Sequence, residues 1–206
     1  MTLSKIVIVD YGMGNLGSMA NMYKYLGYDV IVTNDRDKIK EAGKLILVGV
    51  GSFNHAMQNI SDLDIISILN EKVLMDKIPI LGICLGMQIF GNGSEEGNLP
   101  GLGWIDADVV KFNNNDLKLK IPHMGWNTVK PEKESVLLSN MVDQTRFYFV
   151  HSYYMRCNES RDILLTTPYG FDFTSAIEKE NIIGVQFHPE KSHKYGMNIL
   201  KNFAEL

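Results

Sequence analysis

The chain has 206 residues, of which 45% are hydrophobic and 21% are charged, an ordinary globular composition. This length predicts a single α/β domain over residues 1–206 that buries its core without disulfides. The formal net charge of −4 gives no electrostatic basis for nucleic-acid binding, and no apolar run approaches the roughly 20 residues that span a bilayer. Two cysteines are too few for a disulfide framework, so we expect a reducing, cytoplasmic setting with no membrane or nucleic-acid partner.

The first half of the chain alternates short apolar runs with amphipathic stretches. Residues 6–10, 28–33 and 45–48 are short and rich in β-branched side chains, which predicts buried parallel strands. Residues 16–26 carry apolar side chains at helical spacing, and Gly27 ends that helix. Strands that alternate with helices predict a parallel sheet with right-handed crossovers and flanking helices.

The third strand runs into a glycine-rich segment, Gly-Val-Gly-Ser-Phe, at residues 49–53. Two glycines after a sheet strand let a ligand approach the backbone and present N–H donors to it. A plain strand-to-helix loop is the alternative, and this segment taken alone favours the loop. Residues 60–75 then predict a helix whose apolar stripe, including Met75, packs in the core.

Residues 78–88 begin with a short apolar run after Pro79, which predicts a buried strand. The run continues into Gly82-x-Cys84-x-Gly86, and small residues on both sides of the cysteine allow a tight strand-to-helix turn. Such a turn places the thiol at a helix N-terminus, where free N–H groups favour the thiolate. A buried cysteine between two packing glycines is the alternative, and the motif alone does not decide between them.

The second half of the chain is predicted to be mostly strand. A glycine-rich loop at residues 91–103 precedes a strand at residues 104–112. Residues 113–116, Asn-Asn-Asn-Asp, predict a turn, after which the chain returns through residues 118–122. We therefore expect antiparallel strands added at one edge of the parallel sheet.

Two clusters in this half combine aromatic and polar side chains. Residues 123–127 bring an imidazole, a large aromatic ring and an amide around one glycine, and the alternative is a packed turn with Trp126 as a core anchor. Residues 146–154 predict one strongly aromatic strand, most of it core. His151 and Ser152 near its end are placed to face a cleft.

A second candidate for chemistry follows the short strand of residues 182–187. It is His188-Pro189-Glu190, in which a rigid proline holds an imidazole and a carboxylate in a fixed relation. The histidine supplies a base, and the carboxylate can hold its other ring nitrogen. A surface salt bridge at a strand end is the alternative. Residues 192–203 predict a closing helix.

A cysteine on a tight turn, followed near the C-terminus by His188 and Glu190, resembles the class I (triad) glutamine amidotransferases. Within that family, blocks over nearly the whole chain resemble the glutaminase subunits of imidazole glycerol phosphate synthases: residues 10–16, 49–53, 82–88, 94–97, 122–127, 148–154 and 184–192. The resemblance implies a flavodoxin-like α/β fold, a mostly parallel sheet flanked by helices with antiparallel strands at one edge. One position departs, because Val48 stands where the family usually has proline; this leaves the following loop freer and hints at a divergent branch.

The residues and the resemblance indicate the same reaction. Cys84 attacks the side-chain amide of glutamine, His188 takes the thiol proton and returns it to the departing ammonia, and Glu190 fixes the imidazole. A γ-glutamyl thioester forms, and water hydrolyses it. We expect no metal and no other cofactor, because the histidines show no ligand spacing with the two cysteines.

The oxyanion that forms in this reaction needs two N–H donors. We assign one to the backbone of Leu85, directly after the nucleophile, and the other to Val50 or Gly51. By resemblance, three side chains hold the amino-acid end of glutamine: Gln88, Ser152 and Tyr153.

The resemblance also implies a partner in histidine biosynthesis, a (β/α)₈-barrel cyclase subunit that forms a heterodimer with this chain and receives ammonia through a protected passage. Three residues form the candidate docking surface: Asn15, Trp126 and Lys191. The lone chain is expected to be nearly inactive until the partner binds its own substrate. Two alternatives stay open. One is the same glutaminase chemistry supplying a different synthetase, such as one that amidates a sugar, and the other is a protease-like cysteine hydrolase.

Overall fold

The computed structural model describes residues 5–113 and 119–206. Strands and helices alternate through the first half of the chain, and strands predominate in the second. Most of the turn predicted at residues 113–116, and the start of the return at residue 118, lie outside the described residues. Among the helices of the described part, none is long and apolar enough to cross a bilayer.

The described residues form thirteen strands and six α-helices. The strands are β1 Ile6–Val9, β2 Val30–Thr33, β3 Lys44–Gly49, β4 Ile80–Cys84, β5 Gly93–Ser94, β6 Ala107–Lys111, β7 His123–Thr128, β8 Lys130–Pro131, β9 Arg146–His151, β10 Tyr153–Cys157, β11 Ile163–Pro168, β12 Asp172–Lys179 and β13 Ile182–Val185. The helices are α1 Leu16–Tyr25, α2 Arg36–Lys40, α3 Phe53–Asp62, α4 Ile66–Asn70, α5 Leu85–Gln88 and α6 His193–Glu205.

The larger sheet has a parallel centre. Strands β2, β1, β3, β4 and β13 lie side by side in that order, each parallel to its neighbour. The sheet continues from β13 through β12, β10 and β6, each antiparallel to the one before it. Short β5 extends this edge, while β11 pairs with β12 and with β8. These observations confirm the predicted α/β fold, a mostly parallel sheet with antiparallel strands added at one edge.

The parallel strands are buried on both faces because helices cover each side. Successive residues of β1 alternate between two apolar clusters, with Val7 and Val9 in one and Ile6 and Ile8 in the other. The first cluster includes side chains of α3 and α4, and the second includes side chains of α1 and α6. With both faces closed, the carboxyl edge of the parallel strands is the place left for a site.

A second, two-stranded sheet pairs β7 with β9 and was not predicted. Residues 146–154 were predicted to be one strand, but the chain leaves β9 at His151 and enters β10 at Tyr153. β9 pairs with β7, whereas β10 pairs with β6 and β12 in the larger sheet. Ser152 is therefore the point at which the chain changes sheets, and the single-strand prediction is wrong. As predicted, the strand is largely core: Phe147 and Phe149 are buried.

The helix predicted over residues 60–75 is interrupted. α3 ends at Asp62, and Asp64 adopts a left-handed conformation with φ of 50°, which a short polar side chain tolerates. α4 and a π-helical turn at Glu71–Met75 follow the break. The other apolar side chains of the predicted stripe pack in or against the core. Met75 is 78% exposed, so its placement in the core is wrong.

Candidate active site

Cys84 is the last residue of β4 and immediately precedes α5. Its backbone has φ of 56° and ψ of −110°, a conformation that residues with a side chain avoid. The residue is 7% exposed, and it lines a cavity at the carboxyl edge of the sheet. The chain therefore makes the predicted tight strand-to-helix turn at this cysteine, which is the geometry of a nucleophile elbow.

The glycines on either side of the turn are required by packing. A β-carbon at Gly82 would lie 2.6 Å from the carbonyl oxygen of Gly86 and 2.6 Å from the ring of Phe90. A β-carbon at Gly86 would lie 1.9 Å from the carbonyl oxygen of Leu47. The packing interpretation of the glycines therefore holds, and it is compatible with a nucleophile at Cys84, which stays a prediction. The glycines let α5 pack directly on β4 and β3, and this close packing is what places Cys84.

Neighbouring strand ends bring the rest of the site to the cysteine. β4 lies between β3 and β13, with Gly49 paired to Cys84 and Val185 paired to Ile83. The glycine-rich loop after β3 and the segment after β13 therefore flank the elbow from opposite sides. His188, three residues beyond β13, lines the same cavity as the cysteine.

His188 and Glu190 form a buried pair. Nδ1 of His188 lies 2.8 Å from Oε1 of Glu190, and their side chains are 1% and 3% exposed. The backbone N–H of His188 donates to the carbonyl of Tyr148 at 2.9 Å, and the Ser192 hydroxyl donates to the carbonyl of His188 at 2.6 Å. The pair is thus held from both sides, and the surface salt bridge considered as an alternative for this motif is wrong.

The environment of His188 favours the imidazolium. Burial lowers its pKa, but the close approach of Cys84, the hydrogen bond to Glu190 and the charges of both groups outweigh burial and raise the pKa to about 10. Because Glu190 occupies Nδ1, the nitrogen left for Cys84 is Nε2. That nitrogen is buried and has no partner in hydrogen-bonding geometry among the described residues, so Cys84 acts on it as a close neighbour and not through a well-formed hydrogen bond. The ring is therefore placed to exchange a proton with the sulfur and with a group bound beside it.

The cavity has a volume of about 360 Å³, enough for a small amino acid. It brings together most of the residues predicted for the site: Cys84, His188, Val50, Gly51, Leu85, Gln88, Ser152 and Tyr153. Glu190 lies behind His188 and outside this lining. His151, predicted to face a cleft, also lines the cavity.

The two predicted sources of oxyanion donors both line this cavity. Leu85 is the first residue of α5, so its backbone N–H is free of intrahelical bonds. Val50 is 46% exposed, and Gly51 has φ of +110°, a conformation that glycine adopts readily. The cavity therefore offers N–H groups from a helix start and from a glycine loop close to one sulfur.

Two polar residues of the site were missed in the sequence. The carboxylate of Glu96 lines the cavity and accepts a hydrogen bond from the backbone N–H of Phe53 at 2.8 Å. The amide of Gln186 is fully buried and donates from Nε2 to the sulfur of Cys84 at 3.5 Å. A polar residue inside the apolar run of residues 182–187, two positions before His188, was the available signal for Gln186.

The residues of the predicted docking surface lie outside the cavity and are exposed. Trp126 is 42% exposed, which rules out its alternative role as a core anchor. Its ring lies 6.3 Å from that of Tyr148, and Nζ of Lys191 lies 5.6 Å from the same ring. Asn15 caps the start of α1 by accepting from the N–H of Ser18 at 3.1 Å.

Neither the acidic and histidine side chains nor the second cysteine indicate a metal centre. Within residues 5–113 and 119–206, no group of three or more His, Cys, Asp or Glu side chains is arranged to hold an ion. Cys157 is a free cysteine whose pKa burial raises to about 12. It does not line the cavity that contains Cys84.

Comparison with known proteins places this site in a family. The family model for class-I glutamine amidotransferases matches residues 7–206. A relative from Methanococcus maripaludis is 56% identical over 97% of this chain and 98% of its own length. A relative from Pseudomonas aeruginosa is 50% identical over 98% of this chain and 99% of its own length. Both are named imidazole glycerol phosphate synthase subunit HisH 2. A relative from Leptospira borgpetersenii, 46% identical over 98% of this chain and 100% of its own, is named subunit HisH.

Solved structures show the same fold at much lower identity. A glutamine amidotransferase from Thermotoga maritima superposes with a TM-score of 0.67 at 16% identity, covering 100% of this chain and 84% of that one. The structure of PurLQS from the same organism superposes with a TM-score of 0.72 at 15% identity, and 99% of each chain is covered. These two support the fold alone. The family model and the near-full-length relatives support more, and on them the chain belongs to the class-I glutamine amidotransferase family.

Proposed function

We propose that this chain is the glutaminase subunit of an imidazole glycerol phosphate synthase and works in histidine biosynthesis. It hydrolyses glutamine to glutamate and ammonia and passes the ammonia to a cyclase subunit. The observation that carries the proposal is identity of 44–56% to relatives named as this subunit, over nearly their full length. The buried pair beside an elbow cysteine supports the glutaminase chemistry.

The reaction starts with attack of the Cys84 sulfur on the side-chain amide carbon of glutamine. A raised His188 pKa favours the thiolate–imidazolium pair, so His188 holds the proton that the leaving nitrogen needs. Protonation releases ammonia and leaves a γ-glutamyl thioester. His188 then takes a proton from water, which attacks the thioester and frees glutamate and the thiolate. Glu190 keeps Nδ1 protonated and stabilises the imidazolium through both steps.

The backbone around the elbow stabilises the negative oxygen that forms at each attack. The N–H of Leu85 points along the first turn of α5, where the helix dipole also favours negative charge. The second donor comes from Val50 or Gly51. The position of Gly49 opposite Cys84 in the sheet register supports this assignment, because it starts the glycine loop level with the nucleophile.

The far wall of the cavity holds the amino-acid end of glutamine. Gln88, Ser152 and Tyr153 supply polar groups there, and Glu96 is the acidic side chain among the lining residues. A carboxylate at this place suits the α-ammonium group of the substrate. Both N–H groups of the Gln88 amide already donate within the protein, so its carbonyl oxygen is the part left for a ligand.

The partner in this proposal is the (β/α)₈ cyclase subunit, bound as a heterodimer in the cytoplasm. Trp126 and Lys191 flank Tyr148 from the exposed side, and they form the docking surface together with Asn15. Docking there protects ammonia from water on its way to the acceptor. The lone chain is expected to turn over glutamine slowly, because the glycine loop completes the oxyanion site when the partner binds its own substrate.

A second function keeps the glutaminase and changes the acceptor. Val48 replaces the proline that usually precedes the glycine turn, and two of the most similar relatives carry the numeral 2 in their names. Both observations favour a divergent copy that supplies ammonia to another synthetase, such as one that amidates a sugar. The triad chemistry is the same in both cases, so the partner alone distinguishes them.

Glutamate release by the purified chain tests the proposal. The chain is measured alone, with the barrel cyclase of the same organism, and with that cyclase plus its nucleotide ligand. A low basal rate that rises steeply in the third mixture supports the histidine-pathway function. If the rate of glutamate release does not change among the three mixtures, but a glutamine-mimicking alkylator still labels Cys84, the chain supplies its ammonia to a different acceptor. A chain that neither reacts with the alkylator nor releases glutamate would contradict the glutaminase itself.

A further inference from the structure

A chain of buried and partly buried hydrogen bonds runs from strand β7 to the sulfur of Cys84. We call it the amide–imidazole chain, and its members in order are Asn127, His123, His151, the carbonyl of Tyr153, Gln88, Gln186 and Cys84. The successive links measure 3.2, 3.0, 2.8, 3.1, 2.9 and 3.5 Å. Both imidazoles and both glutamine amides are at most 6% exposed.

Asn127 fixes the direction of the bonds at the outer end. Its Oδ1 accepts from the backbone N–H of Thr128 at 2.8 Å, and its Nδ2 donates to the carbonyl of Pro168 at 2.8 Å. A flipped amide would face carbonyl to carbonyl and N–H to N–H, so this orientation is the one that satisfies both partners. Nδ2 is therefore also the donor toward Nε2 of His123.

The carbonyl of Tyr153 fixes the direction at the inner end. It can only accept, so Nδ1 of His151, 2.8 Å away, carries the proton. Nε2 of His151 then accepts from Nδ1 of His123, and Nε2 of His123 is left to accept from Asn127. Both rings are neutral in this arrangement. Burial lowers the pKa of His123 to about 4 and that of His151 to about 3, which agrees with it.

The Tyr153 carbonyl accepts from both His151 and Gln88, and from Gln88 onward the donors point toward the sulfur. Nε2 of Gln88 donates both to the carbonyl of Tyr153 and to Oε1 of Gln186. With its oxygen engaged, Gln186 presents Nε2 to the sulfur of Cys84. An N–H aimed at sulfur stabilises the thiolate, whereas a flipped amide would turn its oxygen toward the negative charge.

We propose that the amide–imidazole chain is a positioning device that holds the Gln186 amide with its N–H toward the sulfur of Cys84. Gln186 acts directly on the sulfur, and the histidine pair acts through the position of the Tyr153 carbonyl, which accepts from both His151 and Gln88. The proposal rests on the proposed function, since it takes Cys84 as the nucleophile. Other titratable groups near the sulfur are His188, backed by Glu190, and the buried hydroxyl of Tyr11.

The pH dependence of Cys84 alkylation tests the role of Gln186 without any substrate. Iodoacetamide labelling is followed peptide by peptide, so that Cys157 serves as an internal reference. Gln186→Met keeps the volume and removes the N–H donor. We expect the midpoint of the Cys84 rate profile to rise by about one pH unit, so that labelling at neutral pH slows about tenfold. Asn202→Leu is the matched control, because it removes a buried amide that donates to the carbonyls of Leu137 and Ser139 and is not a member of the amide–imidazole chain.

Substitution at the far end tests the direction of the chain. Asn127→Asp replaces the N–H donor by an oxygen and leaves Nε2 of His123 facing an acceptor. His123 must then carry a second proton or break its bond to residue 127. A second proton leaves Nδ1 of His123 donating to His151, so an upward shift of the Cys84 midpoint, smaller than that of Gln186→Met, identifies the broken bond. We expect no change in the labelling of Cys157, because Cys157 lies on β10 and is not a member of the amide–imidazole chain.

Long-range ¹H–¹⁵N spectra of the unsubstituted protein keep the proposal testable even if a variant fails to fold. We expect both His123 and His151 to be neutral at neutral pH with the proton on Nδ1. A proton on Nε2 of either ring, an imidazolium at neutral pH, or an unchanged Cys84 midpoint in folded Gln186→Met would each overturn the proposal. If these results are as expected but the chain with its cyclase releases no glutamate, the proposed function fails while the positioning role stands.

Discussion

The parallel and antiparallel halves of the larger sheet meet at one cavity and contribute to it differently. The parallel strands β3, β4 and β13 are buried and apolar, and their carboxyl ends carry the glycine loop, Cys84 and His188. The antiparallel side, with the small sheet of β7 and β9, contributes polar groups that are themselves buried, such as His123 and His151. The comparison teaches that the parallel half supplies the predicted reacting groups at the carboxyl ends of its strands, whereas the small sheet supplies buried imidazoles from the first residue of β7 and the last residue of β9.

The small sheet also connects the site to the surface. Alternate residues of β7 point inward and outward, with His123 and Asn127 on the inner side and Met124 and Trp126 exposed. Anything that docks on the outer side therefore lies next to the start of the amide–imidazole chain. Changes in the parallel half should abolish the reaction, and changes in the other half should adjust binding and thiol reactivity.

The largest effect is expected from the nucleophile. Cys84→Ala should lower kcat for glutamate release by at least about 10⁴-fold, because no other group in the cavity can form the thioester. Glutamine binding, followed by calorimetry, should persist, since the far wall is untouched. Cys157→Ala is the matched control and should leave the rate near its native value. Appreciable glutamine turnover by Cys84→Ala would mean that Cys84, at the end of a parallel strand, is not the nucleophile.

Glu190→Gln should have the next largest effect on the rate. The amide keeps the size of the side chain but no longer stabilises the imidazolium, so kcat should fall roughly 10²- to 10⁴-fold. The KM for glutamine should change little, because Glu190 lies outside the cavity lining. A fall in kcat/KM that comes from KM alone would mean that Glu190 holds substrate and not His188.

The same pair makes stability depend on pH. The pKa of His188 is raised from 6.5 to about 10, so between these values the folded chain holds a proton that the unfolded chain has lost. This contribution is fully present below pH 6.5 and is lost as the pH rises toward 10, by up to about 1.4 kcal/mol per pH unit. Urea unfolding across this window should show the decline in the native chain and a shallower decline in Glu190→Gln. Equal slopes would mean that Glu190 does not contribute to the raised pKa of His188.

The glycine pattern around the elbow gives the sharpest test of packing. Gly86→Ala places a β-carbon 1.9 Å from a backbone oxygen that cannot move aside, and should cost about 3 kcal/mol of unfolding free energy. Gly17→Ala is the control: it lies in α1 with open space around it and should be neutral or stabilising by up to about 1 kcal/mol. Chemical denaturation measures both. A Gly86→Ala chain as stable as the native one would mean that the glycine is not required by packing.

The two halves also differ in how far the sequence predicts them. The parallel strands are short apolar runs rich in β-branched side chains, so residues 6–10 and 78–88 reveal two of the strands, and residues 82–86 also mark the tight turn at Cys84. Local pattern does not reveal which sheet a strand joins. The break at Ser152 depends on β9 pairing with β7 and β10 pairing with β6, which are contacts between distant residues.

Buried polar residues are the other part that the sequence leaves open. Gln186 directly follows the apolar strand β13, and its partner Gln88 lies 98 positions earlier in the sequence. The role of such an amide depends on which atoms face it, and only the fold supplies them. The sequence alone also fails to predict which apolar side chains are exposed: Trp126 and Met75 are both apolar, and both lie at the surface. Composition favours the core for these side chains, and tertiary contacts decided otherwise.

The smallest effect is expected at the substrate wall, where Glu96→Gln removes a negative charge but keeps the oxygen that accepts from Phe53. Because an α-ammonium group loses a charged partner that is partly open to solvent, the KM for glutamine should rise roughly tenfold with kcat little changed. Steady-state kinetics of the chain with its cyclase separate the two constants. Glu95→Gln is the matched control, since that carboxylate accepts from the backbone of Lys111 at 2.7 Å and is not part of the cavity lining. Equal effects of the two substitutions would assign the change in KM to the loss of one negative charge from the protein as a whole. A fall in kcat in Glu96→Gln alone would mean that Glu96 takes part in the reaction and not only in substrate binding. The antiparallel half would then also contribute a reacting group.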